Sequence, residues 1–407
     1  MNNTTLSQAA FYSEDRISGS KVSNESFVSI DNMLQNKKGI TTSASLPKGS
    51  LIAFAEGDIL IGNIRPYLRK IWYADRKGGC SPDVLVLKAK PGIDSRFLYY
   101  ALLRDDLFHH MMKGSKGTRM PRGDKNQILR FYLPEIDFDK QQSVSRVLSA
   151  LDSKIEINKR INSELEAMAK TIYNYWFAQF DFPDLNNNPY KSSGGKMVWN
   201  EKMKLHIPDQ WRDGNLSELM DIVRGVTYNN DDVKNQNDLN VIPVLRATNI
   251  TGNTIDIDDM VYVSSTSAGE SQILNQFDIL LVMSSGSKEH IGKNGFYYYD
   301  ERVAFGAFCA KLVPKHNFRY YLYSFTQSEM MVKTIRNECL GTNINNLNAT
   351  LVNGIKVVVP SKDVIDSFNK EVSTLFEKVA NNHKENLVLA ALRDWLLPLL
   401  LNGQVNI

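Results

Sequence analysis

The chain is poor in the features that would place it in several large classes. Its three cysteines, Cys80, Cys309 and Cys339, are too few among 407 residues, and too scattered, for a disulfide framework or a CxxC metal knuckle. The six histidines show neither HExxH nor a paired metal spacing, so no metal site is expected. The longest apolar stretch, Leu392 to Leu401, carries Arg393 and Asp394 and is interrupted by Pro398, which argues against a membrane span. Met1-Asn-Asn-Thr-Thr has no basic start and no apolar run. No secretory signal is therefore expected, and the expected compartment is the cytoplasm. Charge of one sign is scarce as well, since the net value is only +3. A phosphate-binding surface needs local rather than global excess, so that balance neither supports nor excludes nucleic acid.

Catalytic signatures are missing in the same way. Gly286 to Asn294 imitates a P-loop, but five residues separate Gly286 from Gly292, and Asn294 follows Lys293 where a magnesium-holding hydroxyl is required. Asn188-Pro189-Tyr190 is similar to the Asn-Pro-Pro-Tyr loop of amino-methyltransferases, yet one proline is absent and no glycine-rich cofactor loop accompanies it. Pro82-Asp83 with Lys88 is similar to a nuclease core, but Val86 stands where an acid must help bind metal. No catalytic residue is assigned, and the chain reads as a binding component.

What the chain does have is a long internal repeat. Phe97-Leu-Tyr-Tyr is answered by Tyr321-Leu-Tyr-Ser, Gly117-Thr118 by Gly341-Thr342, and Leu151 with Lys154 by Leu375 with Lys378, each pair 224 positions apart. Asp58-Ile-Leu against Asp278-Ile-Leu, and Asn32 against Asn249, keep the order with a small gap. This is a duplicated domain rather than a solenoid unit. Two similar modules predict a pseudo-twofold molecule, suited to a duplex whose strands run oppositely.

Hydrophobic content of 43% and charge of 23% belong to an ordinary globular protein. Residues 1–138 predict a mixed α/β domain, with strands at Ile52-Ala-Phe-Ala, Asp58-Ile-Leu-Ile and Val84-Leu-Val-Leu and a helix from Phe97 to Met112. Residues 207–361 repeat it, with strands at Val241 to Leu245, Asp278 to Val282 and Phe308 to Val313, and a helix from Tyr320 to Ile335. Each copy ends on an apolar strand stopped by Pro134 or Pro360. Residues 181–206, with Asn186-Asn-Asn-Pro and Ser192-Ser-Gly-Gly, read as a connecting loop rather than an element.

Long helices are expected over 139–180 and 362–407. Leu148, Leu151, Ile155, Asn158, Asn162, Leu165, Ala169 and Ile172 form a heptad seam, matched by Val372, Leu375, Val379, Asn382, Asn386, Leu389, Arg393 and Leu396. Two asparagines at the same depth of each seam predict an antiparallel pair. Asn158 would face Asn386, Asn162 would face Asn382, Ile155 would face Leu389 and Leu165 would face Val379. Only Leu151 against Arg393 fits badly. A seam of this length spans roughly 36 Å, about one turn of B-DNA, so the pair would act as a ruler between two readers. The fold class predicted is α+β: two similar mixed domains separated by paired antiparallel coiled-coil helices.

Local charge adds to this. Arg65, Arg69, Lys70, Arg76 and Lys77 fall in one short stretch with Tyr67, Trp72 and Tyr73 between them. Lys113, Lys116, Arg119, Arg122, Lys125 and Arg130 form a second, glycine-rich one. Solvated loop charge explains any single member, but two clusters in one half favour phosphate contact.

At the connection the resemblance becomes specific. Trp176-Phe177, Asp181-Phe-Pro183, Pro189-Tyr-Lys-Ser-Ser-Gly-Gly-Lys-Met197 and Ile207-Pro-Asp-Gln-Trp211 resemble the central region of type I restriction–modification specificity subunits. Gly57-Asp-Ile-Leu-Ile, Arg65-Pro-Tyr-Leu-Arg69 and Leu396 to Gly403 are similar to that family too, so the likeness covers essentially the whole chain. It implies two target recognition domains, each reading one half of a bipartite site in double-stranded DNA, with helices that set the spacer. It also implies two modification subunits carrying S-adenosylmethionine, and restriction subunits using ATP and magnesium, so that no cofactor belongs to this chain. Two other classes stay open on the residues alone: a free-standing methyltransferase or nuclease with duplicated DNA-reading domains, and a helical protein-binding adaptor.

Arginine and lysine suit guanine or phosphate, and asparagine suits adenine. The candidate DNA-contacting residues are Arg65, Tyr67, Arg69, Lys116, Arg119 and Arg122 in the first domain. In the second they are Arg224, Arg246, Asn249, Ser284, Ser285, Lys288, His290, Asn343 and Asn345.

Overall fold

A computed structural model describes residues 3–46, 49–117, 119–341 and 346–405. Contacts divide the chain into two units, Met1–Ile155 with Val388–Ile407, and Glu156–Leu387. Each long helix contributes to both units.

In the first unit a four-stranded antiparallel sheet runs in the order Ala10–Tyr12, Val84–Ala89, Ile59–Gly62, Ile71–Tyr73. Ile59–Gly62 and the first four residues of Val84–Ala89 carry no polar side chain because both faces are covered there. Ile59, Ile61, Leu85 and Leu87 pack against the helices Ser95–Leu102 and Asp105–Lys113, while Leu60, Val84 and Val86 pack with Phe54 and Trp72 on the other side. A second sheet supplies that other side, with Arg16–Ser18, Ser50–Phe54, Gly78–Cys80 and Phe27–Val28 in order. Where one helix was expected from Phe97 to Met112 there are two, because the chain turns at Leu103 and restarts behind Arg104.

The second unit repeats the plan. Met220–Arg224, Cys309–Pro314, Ile279–Val282 and Asn294–Phe296 form the same antiparallel order. Ile279, Leu281 and Leu312 face the helical side, and Leu280, Val282 and Cys309 face the opposite core. The helix expected from Tyr320 to Ile335 is again two, Arg319–Thr326 and Glu329–Gly341. The echoed residues prove to be structural. Asp58 and Asp278 each accept a backbone N–H from three residues earlier, at 2.8 Å. Asn32 and Asn249 are buried, accept from the backbone N–H of Ser29 and Arg246, and donate to two carbonyls each.

The long helices run Phe138–Tyr173, continued by a π-helical turn at Asn174–Ala178, and Lys362–Leu401. Pro398 does not stop the second, which continues three residues past it. The asparagine pairing holds within the second unit. Asn158 Nδ2 donates to Asn386 Oδ1 at 2.9 Å and to Glu385 Oε2 at 2.7 Å, and Asn382 Nδ2 donates to Asn162 Oδ1 at 2.8 Å. Leu165 and Val379 lie in one apolar cluster there. In the first unit Arg393 is not the misfit its seam position implies. It forms an ion pair with Asp152 at 2.8 Å, and Tyr100 donates to the same carboxylate at 2.6 Å.

The connection is more than a loop. Met197–Asn200 and Leu205–Pro208 pair as a hairpin, and Phe182 stacks on Tyr190 and Trp211 at 4.6 and 4.9 Å. Asp181 accepts from the backbone and hydroxyl of Ser192, both at 2.7 Å. Turn-rich composition concealed an element held by aromatic packing.

Candidate nucleic-acid interface

In the first unit the two basic stretches, about fifty residues apart in sequence, converge. The strand Ile59–Gly62 leads into Asn63-Ile-Arg65, and Ile64 bridges antiparallel to Arg122. Arg65 N–H donates to the Pro121 carbonyl at 2.7 Å. Lys116 and Arg122 exchange both backbone hydrogen bonds at 3.0 Å, closing a small loop that carries exposed Arg119 at its tip. At Gly123 a Cβ would lie 2.7 Å from Asn63 Oδ1, so the two loops meet this closely only over glycine.

Arg65 and Arg69 both hold left-handed backbone, at φ of 52° and 50°, on either side of the tight turn Pro66–Leu68. Such conformations in non-glycine residues are uncommon and concentrate where a side chain must be aimed. Asn36 and Lys37 pin the turn by donating to the carbonyls of Leu68 and Arg69, both at 2.9 Å. Tyr67 is half exposed at the apex. The cluster is partly neutralised, since Arg69 and Lys37 share Asp105 and Arg122 pairs with Asp83. Burial works to raise the Asp105 carboxyl, but the two cations hold it below the usual carboxylate range. Among the described residues Arg65, Lys116 and Arg119 have no ion pair and are exposed. Lys125 and Asn126, absent from the candidates above, line a cavity of about 420 Å³ with Lys116 and Arg122. Asp124 capping the helix Lys125–Leu129 was the available signal.

The second unit builds the counterpart. After the strand Ile279–Val282, Ser284 bridges antiparallel to Asn346, and its hydroxyl bonds the Asn346 side chain. Ser284, Ser285, Lys288 and His290 lie together on this loop, with Lys288 exposed. Asn343 and Asn345 lie outside the described residues. The other candidates separate. Arg224 is exposed at the end of Met220–Arg224. Arg246 is tied to Asp259 at 2.9 Å. Asn249 is buried with both ends of its amide used by backbone, so it locks a turn and is dropped from the interface. The Asn32 echo was the clue to that role.

No three His, Cys, Asp or Glu side chains gather into a possible metal site among the described residues, and no helix among them is long and apolar enough to cross a membrane.

Each unit thus carries a sheet whose loops are bridged in pairs and present cations and amides, the plan of a duplicated binding module. The sequence model of the family described as the type I restriction modification DNA specificity domain matches residues 5–167 and 208–388. The chain belongs to that family. It is 24% identical to the type I restriction enzyme MjaIX specificity subunit of Methanocaldococcus jannaschii, over 90% of this chain and 82% of that one. It is also 24% identical to the HindI specificity subunit of Haemophilus influenzae, covering 93% and 94%. Similarity to the StySPI specificity subunit of Salmonella potsdam reaches 32%, over 42% of this chain and 38% of that one. Among solved structures, the type I restriction–modification S subunit of M. genitalium aligns with a TM-score of 0.50 at 16% identity, covering 98% and 95%, and shares the fold.

Proposed function

We propose that this chain is the DNA-recognition subunit of a type I restriction–modification complex, with residues 1–138 and 207–361 each reading one half of a bipartite, asymmetric site. The long helices set the spacer between the half-sites and dock two modification subunits, and restriction subunits join that assembly. S-adenosylmethionine, ATP and magnesium belong to those partners, and the chain itself makes no covalent change in DNA. One observation carries the reading: in each unit the loop after the central strand is bridged to a distant loop, Ile64 to Arg122 and Ser284 to Asn346, while the side chains presented differ. Conserved placement with divergent chemistry is what two readers of different half-sites require.

The test is methylome sequencing of cells expressing the chain with its modification subunits. Exchanging residues 207–361 for the corresponding domain of a relative should alter one half-site and leave the other intact. Alteration of both half-sites, or of neither, refutes the assignment.

A further inference from the structure

The second unit contains a cavity of about 970 Å³, lined by residues between Ser163 and Phe376. The internal repeat says what its position holds elsewhere. At the 224-residue spacing, lining residues Ala169, Ser324 and Phe376 correspond to Arg393, Tyr100 and Asp152. Those three form the guanidinium–carboxylate–phenol cluster of the first unit. In the second unit alanine stands in place of the arginine, phenylalanine in place of the acid and serine in place of the tyrosine, so the ion-pair cluster has no counterpart there.

The cavity nevertheless keeps an acid. Glu166, one helical turn before Ala169, accepts from Asn253 Nδ2 at 2.6 Å and from Tyr298 Oη at 3.4 Å, and among the described residues no cation pairs with it. Burial raises its carboxyl above the usual range, partly offset by those two hydrogen bonds. Tyr323, 3% exposed, also lines the cavity. Its hydroxyl lies near that of Tyr298 but makes no hydrogen bond of good geometry. A half-buried carboxylate without a cation and an orphaned hydroxyl beside aromatic faces are the complement of a planar multiple N–H donor. Exposed Lys170, Lys288 and Arg336 and half-buried Lys293 also line the cavity, outnumbering exposed Glu289 among them. They would repel a bare cation and favour an anionic outer end.

We propose that this cavity binds a guanidinium group whose other end is anionic, with Glu166 and Tyr323 receiving the guanidinium and the basic rim receiving the anion. The ligand supplies from outside what Arg393 supplies within the first unit. Two sources share this chemistry: free L-arginine, and an arginine flanked by acidic residues on a partner protein. Glu166, which would receive the guanidinium, is no part of the reading loops, while the rim shares Lys288 with the loop of Ser284 to His290.

Calorimetric titration of the purified full chain tests it, with L-arginine, agmatine, L-citrulline and an Asp-Arg-Glu peptide as probes. L-arginine or the peptide should bind saturably, agmatine more weakly, and neutral citrulline at least about tenfold more weakly, since a charge-assisted pair is lost. Glu166→Gln, nearly isosteric, should reduce affinity about tenfold or more. Ala169→Arg should abolish binding by placing the chain's own guanidinium in the cavity. Binding by the peptide alone assigns a protein source, and binding by the free amino acid assigns a metabolite. The proposal is overturned if citrulline matches arginine, if Glu166→Gln binds like the parent, or if neither probe saturates below about 10 mM, where binding is too weak to be specific.

Discussion

Replacing the seam asparagines in pairs tests whether they recognise one another or merely share a helix face. Asn162 and Asn382 are 5% and 1% exposed and are joined at 2.8 Å, while the remaining contact of Asn162 Nδ2, to the Val379 carbonyl, is stretched to 3.4 Å. Asn382 Oδ1 has no partner among the described residues. Asn162→Leu strands the Asn382 amide, and Asn382→Leu strands the Asn162 carbonyl. An unpaired buried polar group costs about 1–3 kcal/mol, which each single variant carries and the double variant does not. A double-mutant cycle should therefore show coupling of about 2–6 kcal/mol, the sum of the two stranding costs, with the double variant more stable than the singles add up to. The Asn158–Asn386 pair is an internal comparison. Asn158 keeps its 2.7 Å bond to Glu385 when Asn386 is replaced, so that cycle should couple less. Urea unfolding followed by Trp176 and Trp211 fluorescence, both buried in the core of this unit, reads the effect. Strict additivity for Asn162 and Asn382 would refute asparagine pairing as the source of register.

Three further outcomes are expected. Arg119→Ala with Arg122→Ala should weaken DNA binding by the assembled methyltransferase and reduce its salt slope by about 2, one unit per phosphate contact. An unchanged slope in a filter-binding series removes this loop from the interface. His383, stacked on Tyr298 at 4.9 Å, is pushed down to about 4 by burial. It stays neutral when folded but takes a proton when unfolded, so stability falls as pH drops from about 6.5 to about 4, by roughly 3 kcal/mol in all. His383→Phe should remove that slope, and identical acid profiles would contradict it. Arg393→Met keeps the packing but leaves Asp152 with Tyr100 alone, and should lower the unfolding free energy of the first unit by about 1–2 kcal/mol. No shift in the urea midpoint would show that the pair contributes nothing.

Much of this was legible because the sequence states it twice. The strands Val241–Leu245 and Ile279–Val282 were visible as apolar runs, and the seam predicted Asn158 against Asn386 and Asn162 against Asn382 before any contact was known. Four things were hidden, each for a physical reason. Arg393 looked wrong against Leu151, but its long side chain reaches the neighbouring Asp152, to which a tyrosine from a distant helix also donates, and seam positions do not encode that reach. Asn249 looked like an adenine reader because an amide suits either a base edge or a backbone turn, and only burial separates the two. The hairpin Met197–Asn200 with Leu205–Pro208 was masked by glycine, serine and asparagine, whose turn chemistry hid the aromatic packing around them. Which basic residues point outward was also unreadable, since Asp83 and Asp105 reach Arg122 and Arg69 only through the fold.

The division of contacts has a consequence for synthesis. Val144 and Leu148 share their core with Leu397, Leu400 and Leu401, so the first unit includes residues from both early and late in translation. On the ribosome, Glu156–Leu387 must be made before that core can close, on the order of 10–50 s at ordinary elongation rates. During that interval the apolar strip around Leu148 has no covering helix, while the second unit draws only on residues 156–387 and can finish as soon as they emerge. The domain encoded second is the first able to complete its core, and the nascent first domain is the one exposed to chaperones and to premature pairing with a neighbouring chain.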